Sequence, residues 1–244
     1  MRLSLQLYTL RDPLANDLEG SLRAVRDMGL DYVELAGTYG LQATEFKQIL
    51  DTVGLQVSAG HWGLDQVRKT AAVAEEANAL GCRHVVLPWV PREAFADGWV
   101  TFGKELETIA ERFSELDLTF GYHNHAFEFE PNEHSSFADM WAATSSTLKC
   151  QLDVGWVAVA GEDPVRWMKS LHGRLSLVHL KEYSGNPDSH DAEAGSGVLD
   201  WVAILDTCAE LGVEYGAIEM DRTPDDPVKS VERCVKFFQS KGLR

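Results

Sequence analysis

Basic residues are scarce in this chain. Its 244 residues carry 22 Lys and Arg against 38 Asp and Glu, a formal net charge of −16. Phosphate backbones and anionic headgroups are held through Lys and Arg. With no local basic cluster, nucleic acid and anionic membranes are not expected as partners. Long apolar runs are also missing, so no segment reads as a membrane span. The first residues, Met1 to Tyr8, contain neither an extended apolar region nor an A-x-A site, so no secretory signal is expected. The four cysteines, Cys82, Cys150, Cys208 and Cys234, form no C-x-x-C pair and sit in apolar or helical stretches. They read as buried free thiols of a reducing compartment, with the cytoplasm as the default location. Glycine-rich phosphate cradles are absent as well. Gly195-Ser196-Gly197 lacks the P-loop pattern, and no G-x-G-x-x-G occurs.

What is present is a repeated alternation of strand and helix patterns. Strands are predicted over Leu3–Leu10, Tyr32–Ala36, Leu55–Ala59, His84–Leu87, Leu118–Tyr122, Leu148–Asp153, Ser176–Leu180 and Tyr215–Met220. Between them lie helical patterns with recognisable ends. Asp17 or Asn16 caps Leu18–Met28, Thr44 caps a helix to Thr52, and Asp65–Leu80 stops at Gly81. Phe102–Leu116 follows, and Ser135 or Ser136 opens a short helix. Asp163-Pro164, Asp200 and Asp226-Pro227 open the last three. The stretch Ser184–Ser196 reads as a polar loop. Eight units with no linker between them, in a chain of this length, argue for an α/β fold that is a single (β/α)8 TIM barrel over residues 1–244.

In such a barrel chemistry sits at the C-terminal ends of the strands. Those ends are polar: Gln6 and Tyr8, Glu34, His61 and Trp62, Trp89, His123 to Glu128, Asp153, His179 and Lys181, Glu219 and Asp221. Sheet interiors accept few polar groups without partners. Carboxylates and imidazoles converging on one rim suit a divalent metal: Mn2+, Mg2+, Co2+, Fe2+ or Zn2+. The oxygen-rich mix tilts toward Mn2+ or Mg2+. Asp153, His179 and Glu219 are the expected ligands, against a purely structural network of His and Asp. The fourth comes from His123, His125 and Glu128, with Glu128 the first choice. Strand alternation sets Tyr122 and Asn124 on one face and His123 and His125 on the other.

Several segments together resemble the xylose-isomerase-like barrel family. They are Tyr32-Val33-Glu34-Leu35, Gly121-Tyr122-His123-Asn124-His125-Ala126-Phe127-Glu128-Phe129, Leu152-Asp153-Val154-Gly155, His179-Leu180-Lys181-Glu182, Gly195 to Asp200 and Ile218-Glu219. The family includes sugar and sugar-phosphate isomerases and epimerases, inosose dehydratases and an endonuclease branch. The resemblance implies a metal held by Glu, Asp, His and Glu from strands five to eight, here Glu128, Asp153, His179 and Glu219. The chain departs from the pattern in three places. The family's strand-five Glu falls at Tyr122 or His123, a common His is Trp156, and a common Arg is answered by Lys181.

The resemblance implies a sugar or ketopolyol isomerase or epimerase that moves a proton through a metal-stabilised enediolate. Glu128 and Glu219 would be acid and base, with Lys181 or His125 holding the oxyanion. Glu34, His61, Trp62, Trp89, His123 and Trp156 would contact the substrate, a small sugar or polyol. The alternative is a dehydratase or lyase in which His61, His123 or His125 protonates a leaving hydroxyl. A non-catalytic ligand-binding barrel is a further alternative, and the endonuclease reading conflicts with the acidity. Barrels of this kind also associate as homo-oligomers.

Overall fold

The computed structural model describes residues 1–244. Eight parallel strands close into a barrel: β1 (Arg2–Gln6), β2 (Tyr32–Leu35), β3 (Gln56–His61), β4 (His84–Leu87), β5 (Thr119–His123), β6 (Leu148–Asp153), β7 (Leu175–Leu180) and β10 (Tyr215–Ile218). Each strand pairs with its neighbour in sequence, and β1 pairs with β10 to seal the ring, Leu5 opposite Ile218. Between β7 and β10 lies an antiparallel hairpin, β8 (Glu182–Asn186) and β9 (Ser189–Ala192).

Alternation along the strands explains the layers. Leu3 and Leu5, Val33 and Leu35, Phe120 and Tyr122, Leu152, and Val178 and Leu180 belong to the main apolar core shared with the helices. The residues between them face the barrel interior. One interior layer is apolar, with Ala59, Val86, Leu177 and Tyr215 packed together. Polar interior residues hold one another: Ser4 Oγ lies 2.7 Å from Ser58 Oγ. Two residues further along β3 and β7 come His61 and His179.

The helices are α1 (Arg11–Asn16), α2 (Leu18–Asp27), α3 (Ala43–Val53), α4 (Leu64–Val67), α5 (Thr70–Leu80), α6 (Trp99–Ser114), α7 (Phe137–Ala143), α8 (Val154–Val159), α9 (Pro164–Ser170), α10 (Trp201–Leu211) and α11 (Pro227–Ser240). Capping follows side-chain chemistry. Asp17 accepts from Gly20 N–H at 3.0 Å, Asp200 from Ala203 N–H at 3.1 Å and Asp226 from Lys229 N–H at 3.0 Å. No helix is long and apolar enough to cross a membrane.

The structure corrects several boundaries. β1 ends at Gln6, not Leu10, because the Gln6 side chain accepts from Tyr8 N–H at 3.0 Å and starts a 3-10 turn over Leu7–Leu10. The expected cap at Thr44 gives way to Gln42, whose N–H donates to Glu45 at 3.0 Å. The helix expected over Asp65–Leu80 breaks into α4 and α5 at Arg68 and Lys69. The polar loop Ser184–Ser196 contains the β8–β9 hairpin.

Candidate metal centre and active site

Five strands meet in a buried hydrogen-bonded hub. Glu34 on β2 is 1% exposed, and its carboxylate accepts from Gln6 Nε2 on β1 at 2.6 Å and from Gln151 Nε2 on β6. His61 Nε2 on β3 lies 2.9 Å away and His179 Nε2 on β7 2.6 Å away. Burial pushes the Glu34 carboxyl up, but the facing His179 and His61 outweigh it and hold the group well below the usual carboxylate range.

Above the hub, His123 on β5, Asp153 on β6, His179 on β7 and Glu219 just beyond β10 bring ligand atoms within 4.8 Å of one another, all four buried. His179 spans both groups, with Nε2 toward Glu34 and Nδ1 at 2.8 Å from Glu219 Oε2. His179 Nδ1 also lies 3.8 Å from Asp153 Oδ2. That Asp153 oxygen and His123 Nδ1 are buried without a hydrogen-bond partner. Orphaned buried polar atoms are costly, and a cation at this point satisfies both. Two carboxylates and two imidazoles within reach of one point therefore fit a divalent metal ion.

Local sequence sets these positions. Asp153 ends β6 and caps α8, accepting from Trp156 N–H at 2.9 Å through one oxygen and leaving the other free. Gly155 lets α8 approach β7, since a Cβ there would lie 2.7 Å from the Lys181 carbonyl oxygen. Lys181 is buried. Its Nζ pairs with Asp221 and lies 3.4 Å from Glu219 and 4.0 Å from Asp153. It also sits 4.9 Å from the centre of the Trp156 ring. Burial raises the Asp153 carboxyl to about 7. Burial works the same way on Glu219, but Lys181 and His179 prevail and hold it below the usual range. Burial lowers His179, but Glu34 and Glu219 prevail and raise it well above the ordinary imidazole value. His123 is lowered by burial and by the nearby His179, and burial brings His125 to about 4.

A cavity of about 520 Å³ opens over this group. His61, His123, His125, Glu219 and Asp221 line it together with Trp62, Trp89 and Tyr8. Trp89 and Tyr8 stand at the surface, 54% and 45% exposed.

The structure brings together most of the expected site. Asp153, His179 and Glu219 converge as predicted, but Glu128 does not join them. It lies in a 3-10 turn over Phe127–Phe129, where its carboxylate accepts from Tyr122 OH at 2.9 Å and from His125 N–H at 2.8 Å. Burial raises its carboxyl to about 8. His123 takes the fourth position. Glu34 sits beneath the site in the hub, off the cavity wall. Trp156 also stays off the wall, its ring 5.6 Å from those of His125 and His190. Sequence reading missed Gln151 and Glu76. A buried amide in a strand interior was the available signal for Gln151, whereas Glu76 sits in an ordinary exposed-looking helix pattern.

Fold and site together define a closed α/β barrel with a metal-competent strand-end cluster. The sequence pattern of the xylose isomerase-like TIM barrel matches residues 22–240, and the chain belongs to that family. It is similar to the rhizopine catabolism protein MocC of Rhizobium meliloti, 24% identical over 85% of this chain and 76% of that protein. A sugar phosphate isomerase/epimerase from Parabacteroides distasonis superposes with a TM-score of 0.84, at 21% identity over 98% of this chain and 97% of that one. IolI, solved with a bound zinc atom, superposes with a TM-score of 0.73 at 14% identity over 99% of both chains.

Proposed function

We propose that the chain is a divalent-metal-dependent isomerase or epimerase of a sugar or ketopolyol, working by proton transfer beside a carbonyl. One observation carries the reading: four buried ligating side chains converge, and two of them, His123 and Glu219, reach the wall of a cavity sized for a small polyhydroxylated molecule. His123, Asp153, His179 and Glu219 would hold the ion. His123 in place of a third carboxylate moves the donor set away from Mg2+ and toward Mn2+, Fe2+, Co2+ or Zn2+. When bound, the ion supplies Lewis acidity to neighbouring substrate oxygens.

The chain's own groups divide the remaining work. Glu219 lines the cavity and is placed to take a proton from carbon, with the ionised form favoured by Lys181 and His179. Glu128 is tied to Tyr122 and to the His125 backbone. Glu219 therefore both removes and returns the proton, which suits transfer between adjacent carbons on one face, the isomerase form of the proposal; epimerisation would need a second group on the opposite face. Lys181, buried and cationic beside Glu219, favours the charged carboxylate. His61 reaches a hydroxyl, and Trp62, Trp89 and Tyr8 cover the apolar face of the substrate.

The elimination reading needs an acid for the leaving hydroxyl. His123 and His125 face the cavity, but burial keeps both from holding a proton at neutral pH, His125 down to about 4. His61, also on the cavity wall, is then the acid the elimination reading would use, and His61→Ala tests it. The relative named for rhizopine catabolism is in keeping with a small-molecule substrate.

The test is elemental analysis of protein purified without chelator, with Mn2+ titration, for the wild type and Glu219→Gln. Ketoses and ketoinositols are then incubated in deuterated water. About one ion per chain, with deuterium entering the substrate only in the wild type, is the expected result. A wild type that binds no ion, or one that binds it and exchanges no proton with any ketose, refutes the proposal.

A further inference from the structure

The charges around the cavity carry information about the molecule it takes. The wall has three carboxylates, Glu76, Glu219 and Asp221, and no Lys or Arg. Two cations beside it are already committed. Lys181 is bonded to Asp221, with Glu219 and Asp153 beside it. Arg11 donates to the backbone carbonyls of Tyr8 at 3.0 Å and Asp221 at 2.8 Å, and lies 4.5 Å from the Tyr8 ring centre. Asp191 on β9 adds another carboxylate behind the wall, accepting from Asp221 N–H at 3.0 Å. Glu34 and Asp153 lie below. Three carboxylates on the wall and three behind or below it thus stand against Lys181, Arg11 and one divalent ion.

Phosphate sites draw on Arg, Lys or free N–H groups at a helix start. Here α8 begins at the end of β6, and its Trp156 N–H is occupied by Asp153. What the mouth offers instead is Trp89 and Tyr8 in the open, with Trp62 inside. Aromatic faces suit the apolar side of a ring or an ammonium group.

We propose that this cavity takes uncharged or amino-bearing polyols and turns away phosphorylated and carboxylated ones. The inference rests on the small-polyol reading above and adds the charge of the substrate to it. A phosphate dianion in this space meets an excess of negative charge in a poorly solvated setting, whereas a neutral polyol meets acceptors for its hydroxyls. Glu76, whose Oε2 accepts from Trp62 Nε1 at 3.0 Å, is a wall carboxylate with no part in the ion site or the proton transfer.

The test is calorimetric titration of Mn2+-loaded protein with matched pairs: D-fructose beside D-fructose 6-phosphate, and D-glucosamine beside D-glucosamine 6-phosphate. The unphosphorylated member is expected to bind at least about tenfold more tightly in each pair. Glu76→Gln is expected to narrow the preference within each pair by about threefold, whatever it does to the parent sugars themselves. An ester that binds as tightly as its parent, no difference within either pair, or displacement of the parent sugar by inorganic phosphate overturns the proposal. The readout needs no turnover. A preserved preference without proton exchange would refute the isomerase reading alone, and exchange without the preference would refute this inference alone.

Discussion

Replacing Glu34 with Gln separates a structural brace from a metal-tuning group. The native carboxylate accepts from the amides of Gln6 and Gln151 and faces His61 and His179, all inside the barrel. A glutamine keeps the shape but offers one acceptor oxygen and a donor amide. At least one buried donor, the Gln151 or Gln6 amide, then faces another donor, at a cost of about 1–3 kcal/mol. The effect on His179 is more specific. With the ion bound, Glu34 would keep the proton on Nε2, and the Nδ1 that otherwise faces Glu219 would be free to ligate. Losing such a partner weakens metal binding by about 10- to 100-fold, or roughly 1.4–2.8 kcal/mol. Competition with a chromophoric chelator measures that loss. Urea unfolding of the ion-free protein measures the brace, and imidazole ¹⁵N spectra report the His179 tautomer. Metal affinity unchanged within about twofold, with the tautomer retained, would refute the positioning argument even if stability fell.

The strand-five choice is tested by a pair of variants. His123→Ala should weaken metal binding by at least about tenfold, whereas Glu128→Gln should change it by less than about twofold, and the reverse ranking in a chelator competition would exclude the geometry described. Protons compete with the ion. Without metal, Asp153 keeps its proton up to about 7, and the His179 pKa is raised well above ordinary imidazole. Ion affinity should therefore climb with pH through 7, by up to about tenfold per unit for each proton displaced, and titrations in buffers of different ionisation enthalpy count those protons. A flat affinity from pH 5.5 to 7.5 contradicts this. The same shift has a stability sign. The unfolded Asp153 loses its proton near its ordinary value, while the folded one holds it to about 7, so the Asp153 contribution to ion-free stability falls as pH rises between those points. Glu182 is buried and accepts from the N–H groups of Gly195 at 2.9 Å and Leu199 at 3.1 Å and from Trp201 Nε1 at 2.6 Å. Glu182→Ala should cost about 3 kcal/mol or more in urea unfolding, because several buried donors lose their acceptor at once. A loss under about 1 kcal/mol would mean that water replaces the carboxylate freely.

The barrel was legible in the sequence because each unit announces itself: apolar alternation for the strand, then Asp, Ser or Asp-Pro before the helix and often Gly after it. Asp153, His179 and Glu219 were legible because a charged residue closing an apolar strand needs a reason. The fourth member was only half legible. Alternation separates Tyr122 and Asn124 from His123 and His125, and the structure keeps that division, with Tyr122 packed against Trp99 and His123 on the cavity wall. Glu128 drew attention as a carboxylate, but position along a strand means nothing once the backbone turns, and the 3-10 turn at Phe127 sends it back to Tyr122. The β8–β9 hairpin was illegible for a different reason. Its residues are polar and its turn is Asn186-Pro187-Asp188-Ser189, so no apolar pattern marks it. It is held from below by Glu182 instead.

The hub has a consequence for how the chain reaches its native state. Glu34 and His179 are 145 positions apart, and the carboxylate draws on strands from both ends of the fold. Helices and adjacent strand pairs can form while the chain is still short, because their contacts are local. The hub cannot, since it needs β2 and β7 already facing each other across a nearly completed ring. The proposed ion site also draws on Glu219 beyond β10, so ion binding during refolding would mark the closing of the barrel rather than its beginning, and a chain lacking the β10 segment would be expected to bind no ion.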